Sequence, residues 1–226
     1  MGGGPVRQNR AASAGPYAGL LDWLVVVTVA ILLDLPRRSL ESAMAEAAEK
    51  RWTVEEFLDW NDGTDRRHEL VDGRIVSMAP PSESHAAIVS NLTIQIGAQL
   101  RPPCRVLGEF GVRLEGRADS FYQFDLAVTC APAEATRRYV VDPVLIVEVL
   151  SPSTELHDRG RKLDDYRQLP SVEEVLLVAS EQRHVQHWRR DGPRWIVEDL
   201  IGDADLRLAA IPGPIPLAAL YEGSGV

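Results

Sequence analysis

Two acidic side chains stand where the surrounding pattern calls for apolar ones, and they are the first candidates for chemistry. Along Phe121-Tyr122-Gln123-Phe124-Asp125-Leu126-Ala127-Val128, the even positions read as one face of a strand, which sends Asp125 to the other face with Gln123 and Ala127. The run Val144-Leu145-Ile146-Val147-Glu148-Val149-Leu150 is apolar on both faces, as in a central strand covered on both sides, and Glu148 is its one polar side chain. A carboxylate buried there must be protonated, hydrogen-bonded, paired with a base or bound to a cation, because an isolated buried charge is strongly unfavourable. If the two strands are neighbours, Asp125 and Glu148 come within about 5 Å, Cβ to Cβ. Two like charges that close call for a cation between them, and an oxygen-only ligand set suits Mg²⁺, which takes one or two carboxylates plus waters and a substrate phosphate. The residues alone leave an alternative open: a structural ion pair from Glu148 to an Arg or Lys on the following helix.

That helix has cations to offer. In Asp158-Arg159-Gly160-Arg161-Lys162-Leu163-Asp164-Asp165-Tyr166-Arg167, the residues Arg159, Lys162 and Tyr166 fall at i, i+3 and i+7, one face of an α-helix. Such a face can present a cation to a phosphate or to Glu148, or it can be a solvated face of alternating charge.

The elements that must carry these groups are legible between residues 50 and 200. Thr53 with Glu56 forms a capping box for a short helix whose Val54, Phe57 and Leu58 share a face. Asp72-Gly73 turns a hairpin from Arg67–Val71 into Arg74–Met78. Ile88, Leu92, Ile96 and Leu100 recur at steps of four in a helix from Ser82 to Leu100, stopped by Pro102-Pro103. Strands follow over Val106–Leu114, Phe121–Thr129 and Pro143–Leu150, then the polar helix from about Asp158 to Leu169, a strand at Val175–Val178, and a late hairpin around Asp191-Gly192. This order predicts an α/β or α+β fold with a mixed sheet.

Composition narrows the class. The 226 residues are 45% apolar and 25% charged, an ordinary globular balance. A net charge of -9 argues against a protein that coats nucleic acid through bulk positive charge, yet it suits an enzyme that gathers carboxylates around a metal. Cys104 and Cys130 form no zinc-type cluster and are expected to be two reduced, half-buried thiols of a cytoplasmic protein. There is no Gly-x-Ser-x-Gly elbow, Walker-type loop or Gly-x-Gly-x-x-Gly fingerprint, so serine hydrolase, NTPase and dinucleotide chemistry are disfavoured and no small-molecule cofactor is expected.

Residues 1–43 differ from the rest. A Gly-, Ala-, Pro- and Ser-rich stretch leads into eleven residues between Asp22 and Asp34, too few for a membrane span. Arg7, Arg10 and Ala43-Met44-Ala45 have the outline of a signal peptide, but Arg37, Arg38 and Glu41 fit one poorly. The expectation is an extension ahead of a single domain over 44–226, with Met44 as the working start and no membrane association.

Taken together, Glu69-Leu70-Val71-Asp72-Gly73, Met78-Ala79-Pro80, the helix carrying His85, Asp125, Val147-Glu148-Val149-Leu150-Ser151-Pro152-Ser153-Thr154, and Lys162-Leu163 with Tyr166 resemble the Uma-type putative restriction endonuclease domain family, within the PD-(D/E)XK nuclease superfamily. The resemblance runs from about Arg51 to Leu220. It implies a restriction-endonuclease-like mixed sheet flanked by helices, with an added hairpin at each end. It also implies a Mg²⁺-dependent, or Mn²⁺-dependent, DNA endonuclease, commonly a homodimer. Asp125 and Glu148 would hold the metal with the carbonyl of Val149. The motif lysine is missing, since position 150 is Leu150, and Lys162 on the next helix is the implied replacement. Phe124 stands where the family usually has Pro. Glu69 is a third acid or a support for the other two, and His85 either orients water or bonds at its helix N-terminus. The rival is a module that keeps the fold and binds nucleic acid or protein without cutting.

Overall fold

A computed structural model describes residues 50–152 and 155–226 of the chain. The expectations placed on residues 1–43, and Ser153-Thr154 of the motif run, lie outside these residues.

Each early element follows from its local chemistry. Helix α1 (Val54–Asp59) opens on the expected capping box, with the Thr53 hydroxyl accepting from the Glu56 N–H and the Glu56 carboxylate accepting from the Thr53 N–H. Strands β1 (His68–Val71) and β2 (Arg74–Ser77) form the hairpin, and its turn places Asp72 at φ 50° and Gly73 at φ 73°. Helix α2 (Glu83–Gly97) is capped by Ser82 and buries His85, Ile88, Leu92 and Ile96. Strands β3 (Arg105–Arg113), β4 (Phe121–Thr129) and β5 (Pro143–Leu150) precede a helical stretch of three pieces: α3 (Glu155–His157), a π-helical turn (Asp158–Lys162) and α4 (Leu163–Gln168). Then come β6 (Glu174–Ala179), β7 (His184–Asp191) and β8 (Arg194–Ile201), and a small sheet of β9 (Asp205–Leu206) and β10 (Ile215–Pro216) leads into α5 (Leu217–Leu220).

The main sheet runs β2-β1-β4-β5-β6-β7-β8, with β3 paired to β4 as well, and only the β5–β6 pair is parallel. This is the mixed α+β architecture with a hairpin at each side. One face is covered by α2 and the C-terminal segment, packing Ile88, Leu92 and Ile96 on Leu126, Val128, Leu145, Val147 and Val149. The other face is covered by α4, packing Leu163 and Tyr166 on Tyr122, Phe124, Ala127, Ile146 and Leu150. A third cluster joins α1 to the hairpin through Val54, Phe57, Leu70 and Phe121.

Two expectations are corrected. Tyr122 and Phe124 do not share a face with Leu126 and Val128: the first pair packs with Ala127 under α4, the second under α2. The alternation breaks at Asp125, where β4 changes neighbours. The edge that pairs with β5 over Leu126–Thr129 meets β1 at the single pair Leu70↔Phe121, leaving Gln123-Phe124-Asp125 in a fork between them. Across β3, Glu109 adopts φ 47° opposite this point. Because both faces are apolar, a change of phase leaves no mark in the hydropathy pattern. The second correction concerns the cysteines, which are joined in a disulfide rather than held as thiols. They flank the antiparallel pair Arg105↔Thr129, and the register sets them opposite one another.

Gly111 lies beneath a ring. A Cβ at that position would stand 2.1 Å from Cζ of Phe121, so the aromatic side chain closes directly over the β3 backbone.

Candidate active site

The fork in β4 leaves backbone groups that no strand can pair, and charged side chains take them. The Gln123 N–H donates to Oε1 of Glu69 at 2.8 Å, and the Gln123 carbonyl accepts from Nζ of Lys162 at 3.2 Å. Asp125 replaces the missing rung to β5, its Oδ2 accepting the Val149 N–H at 2.7 Å. A residue's N–H and C=O leave a strand on the same edge, so the Val149 carbonyl also faces the fork rather than β6.

The two acids approach the fork from opposite faces of the sheet. Asp125 reaches toward α2, where Nε2 of His85 stands 3.2 Å from its Oδ2. Glu148 reaches toward the helical stretch, where its Oε1 accepts from the Tyr166 hydroxyl at 2.6 Å and from Nζ of Lys162 at 3.2 Å. Lys162 is held in turn by Glu69 at 2.8 Å and Asp158 at 3.4 Å. Lys162 is 3% exposed, as is Glu148.

Burial decides the electrostatics. It pushes the Glu148 carboxyl well above the usual carboxylate range; Lys162 pulls against this, and the nearby Asp158 and Asp125 charges add to it. For Lys162 burial acts downward, but the carboxylates of Glu148, Glu69 and Asp158 outweigh it and hold the ammonium above the ordinary lysine value. Tyr166 is kept protonated by burial and by the Glu148 charge, which fixes it as the donor to Glu148.

All six groups singled out in the sequence, Glu69, His85, Asp125, Glu148, Val149 and Lys162, line one cleft of about 610 Å³. They come from β1, α2, β4, β5 and the π-helical turn. Lys162 reaches Glu148 without a lysine at position 150, because Leu150 packs in the same cluster as Leu163 and Tyr166 and brings that helix against the end of β5. The helix face differs from the α-helical expectation. Arg159 turns away to Glu155 and Gln186, and Arg161 goes to Asp72, so the inward face is Asp158, Lys162 and Tyr166. In the π-helical turn the Leu163 N–H donates back to the Asp158 carbonyl, five residues earlier, which winds the chain more loosely than 3.6 residues per turn and shifts the phase. Asp158, four residues before Lys162, is thus a buried acid of the cleft on the same side as the lysine, in place of Arg159. Gly160 inside a helical run is the sequence signal that could have exposed the irregularity. His157 also lines the cleft, and His187 is buried against Glu174; no spacing in the sequence singles out either.

The donor chemistry fits a hard divalent cation. Glu69, Glu148 and Asp158 gather around a single lysine and Asp125 lines the same cleft beside His85, a buried excess of acid that a cation would neutralise. The contacts to Asp125 fall on Oδ2 and those to Glu148 on Oε1, and among the described residues no hydrogen bond falls on the second oxygen of either. Among the same residues no three acid, histidine or cysteine side chains are already gathered as a cage.

Comparison with known proteins identifies the family and the fold. The family model Uma2, described as "Putative restriction endonuclease", matches residues 54–213. Two uncharacterized proteins of Synechocystis sp., slr1290 and sll1609, are 28% identical over 75% of this chain and 90% of theirs, and 27% identical over 71% and 93%. The crystal structure of a putative nuclease belonging to DUF820 from Anabaena variabilis is similar in fold, with a TM-score of 0.62 at 20% identity, covering 75% of this chain and 97% of that one. With its model matched over more than half of the chain, the protein belongs to the Uma2 family of putative restriction endonucleases.

Proposed function

We propose that this chain is a metal-dependent DNA endonuclease, hydrolysing phosphodiester bonds in the cleft at the β4–β5 fork. The observation that carries the reading is that Asp125, Glu148 and Lys162, delivered by three elements, line one cleft with Lys162 bonded to Glu148. Asp125, Glu148 and the Val149 carbonyl would hold Mg²⁺, or Mn²⁺ in its place. When bound, the ion supplies Lewis-acid polarisation of the phosphate and a more acidic water.

The chain's own groups supply the rest. Tyr166 fixes Glu148 by donating to one oxygen, leaving the other for the metal. The Val149 N–H fixes Asp125 in the same way. Glu69 ties β4 to Lys162, so the ammonium stands beside the acids and can stabilise negative charge growing on the phosphate oxygens in the transition state. His85, on the far side of Asp125, orients that carboxylate and can take a proton from a water in the cleft. Among the described residues the chain has one such cleft, so cutting both strands of a duplex calls for two copies, one per strand.

The test uses the full chain with supercoiled and with branched DNA, with and without Mg²⁺ or Mn²⁺, beside Asp125→Asn and Glu148→Gln. Metal-dependent nicking lost in both variants is the expected result. Cutting that survives either substitution overturns the assignment. The absence of both cutting and metal binding by calorimetry favours the non-cutting module, a reading to which Lys162 lends weight by already neutralising Glu148 from within.

A further inference from the structure

Lys162 is surrounded by more acceptors than an ammonium can serve. It has three N–H donors and four partners within reach: Glu69, the Gln123 carbonyl, Glu148 and Asp158. Three of these come from the sheet. Asp158 alone comes from the lysine's own helical stretch, four residues earlier, and it is buried at 3% exposure. Its backbone carbonyl also accepts the π-type hydrogen bond from Leu163 that sets the phase of the turn. The neighbouring cations of the stretch have outward partners, Arg159 with Glu155 and Arg161 with Asp72. A lysine stem has four flexible carbons, and without a partner on its own helix its head is free to follow whichever sheet acid attracts it most.

Resting on the endonuclease reading, we propose that Asp158 is a positioning residue for Lys162. Its carboxylate holds the ammonium on the helix side of the cleft, close enough to serve the phosphate and short of the space between Asp125 and Glu148 where the metal would sit. It acts through Lys162 and does not ligate the metal.

The experiment compares the full chain with Asp158→Asn, which keeps shape and removes charge, and with Asp158→Glu, which keeps charge and lengthens the side chain. Nicking kinetics, Mn²⁺ affinity by calorimetry, thermal melting and the ¹H–¹⁵N signal of the Lys162 ammonium in the metal-free protein are read together. Asp158→Asn is expected to lower kcat by about 10–100-fold, the usual size of an outer-shell effect, with KM and Mn²⁺ affinity little changed. The ammonium signal, visible in the wild type because the group is held and shielded, should be lost in Asp158→Asn and recovered with part of kcat in Asp158→Glu. Loss of Mn²⁺ affinity in step with kcat would make Asp158 a ligand and overturn the proposal. So would a lowered melting temperature with kcat and the ammonium signal intact. If the wild type cuts no DNA, the endonuclease reading fails on its own, and the ammonium signal still decides: its loss in Asp158→Asn supports the positioning role, and its persistence there refutes it.

Discussion

The same sheet holds two buried charge clusters, and they are built to opposite specifications. On β6 and β7, Glu174 and His187 pair at 2.8 Å, and the second Glu174 oxygen accepts the Ala209 N–H at 2.9 Å. One acid meets one base, both carboxylate oxygens are satisfied, and the C-terminal segment closes over them. At the β4–β5 fork, three acids crowd one lysine with Asp125 in the same cleft, the bonds to Asp125 and Glu148 concentrate on one oxygen of each, and the group borders an opening. A charge pair that serves the fold is closed and balanced. One left acid-heavy beside an opening keeps an unfavourable electrostatic state that a ligand can relieve, and that asymmetry separates the two where burial alone does not.

The comparison can be broken most decisively through activity. Asp125→Asn and Glu148→Gln should each lower the nicking rate by about 10³-fold or more, as expected for removing charge that stabilises a transition state, while His187→Ala leaves the rate per folded molecule unchanged. Equal losses from both clusters would erase the distinction.

Stability comes next. Lys162→Met strands Glu69, Glu148 and Asp158 without their cation and should cost about 3–5 kcal/mol in urea unfolding. Adding Glu148→Gln to it should return part of that loss, and a strictly additive double mutant would show that the two do not form a unit. Glu174→Gln or His187→Ala should cost less, about 1–3 kcal/mol, the penalty for leaving a single buried partner unsatisfied.

The smallest effect lies on the balanced side and depends on pH. The Tyr221 hydroxyl donates to the carbonyls of Ala179 and His184, and burial pushes it up to about 12. Its folded value lies above the unfolded value of about 10, so its contribution is complete below pH 10 and fades as pH rises through the folded value. Unfolding measured from pH 8 to 12 should therefore show a decline in the wild type that Tyr221→Phe flattens, with the variant about 1 kcal/mol weaker at neutral pH.

Much of the frame was legible before the structure. The Thr53 capping box, the Asp72-Gly73 hairpin and the spans of β4 and β5 are local matters, decided by residues within one turn or one pleat. Glu148 stood out because a strand covered on both sides has no ordinary place for a carboxylate. What escaped were features set by distant partners. The phase break at Asp125 depends on β4 exchanging β5 for β1 along one edge, and no alternation of apolar residues records which neighbour a strand has. The π-helical turn moves Arg159 off the inward face by a fraction of a turn, whereas an α-helical reading admits Arg159 at i−3 from Lys162 as readily as Asp158 at i−4. The Cys104–Cys130 bond follows from the β3–β4 register and from nothing nearer in the chain.

The ring that closes over Gly111 gives the cleft a remote determinant. Phe121 is both the cover on that glycine and the single pairing point through which β1 joins β4, and the next residue but one after Phe121 is Gln123, whose N–H is held by Glu69 of that same β1. Even a methyl group at position 111 would lift the ring and tilt the hairpin that delivers Glu69 to Lys162. The third acid of the cleft is therefore aimed by a residue with no side chain, and its aim can be altered by a mutation that touches none of the charged groups.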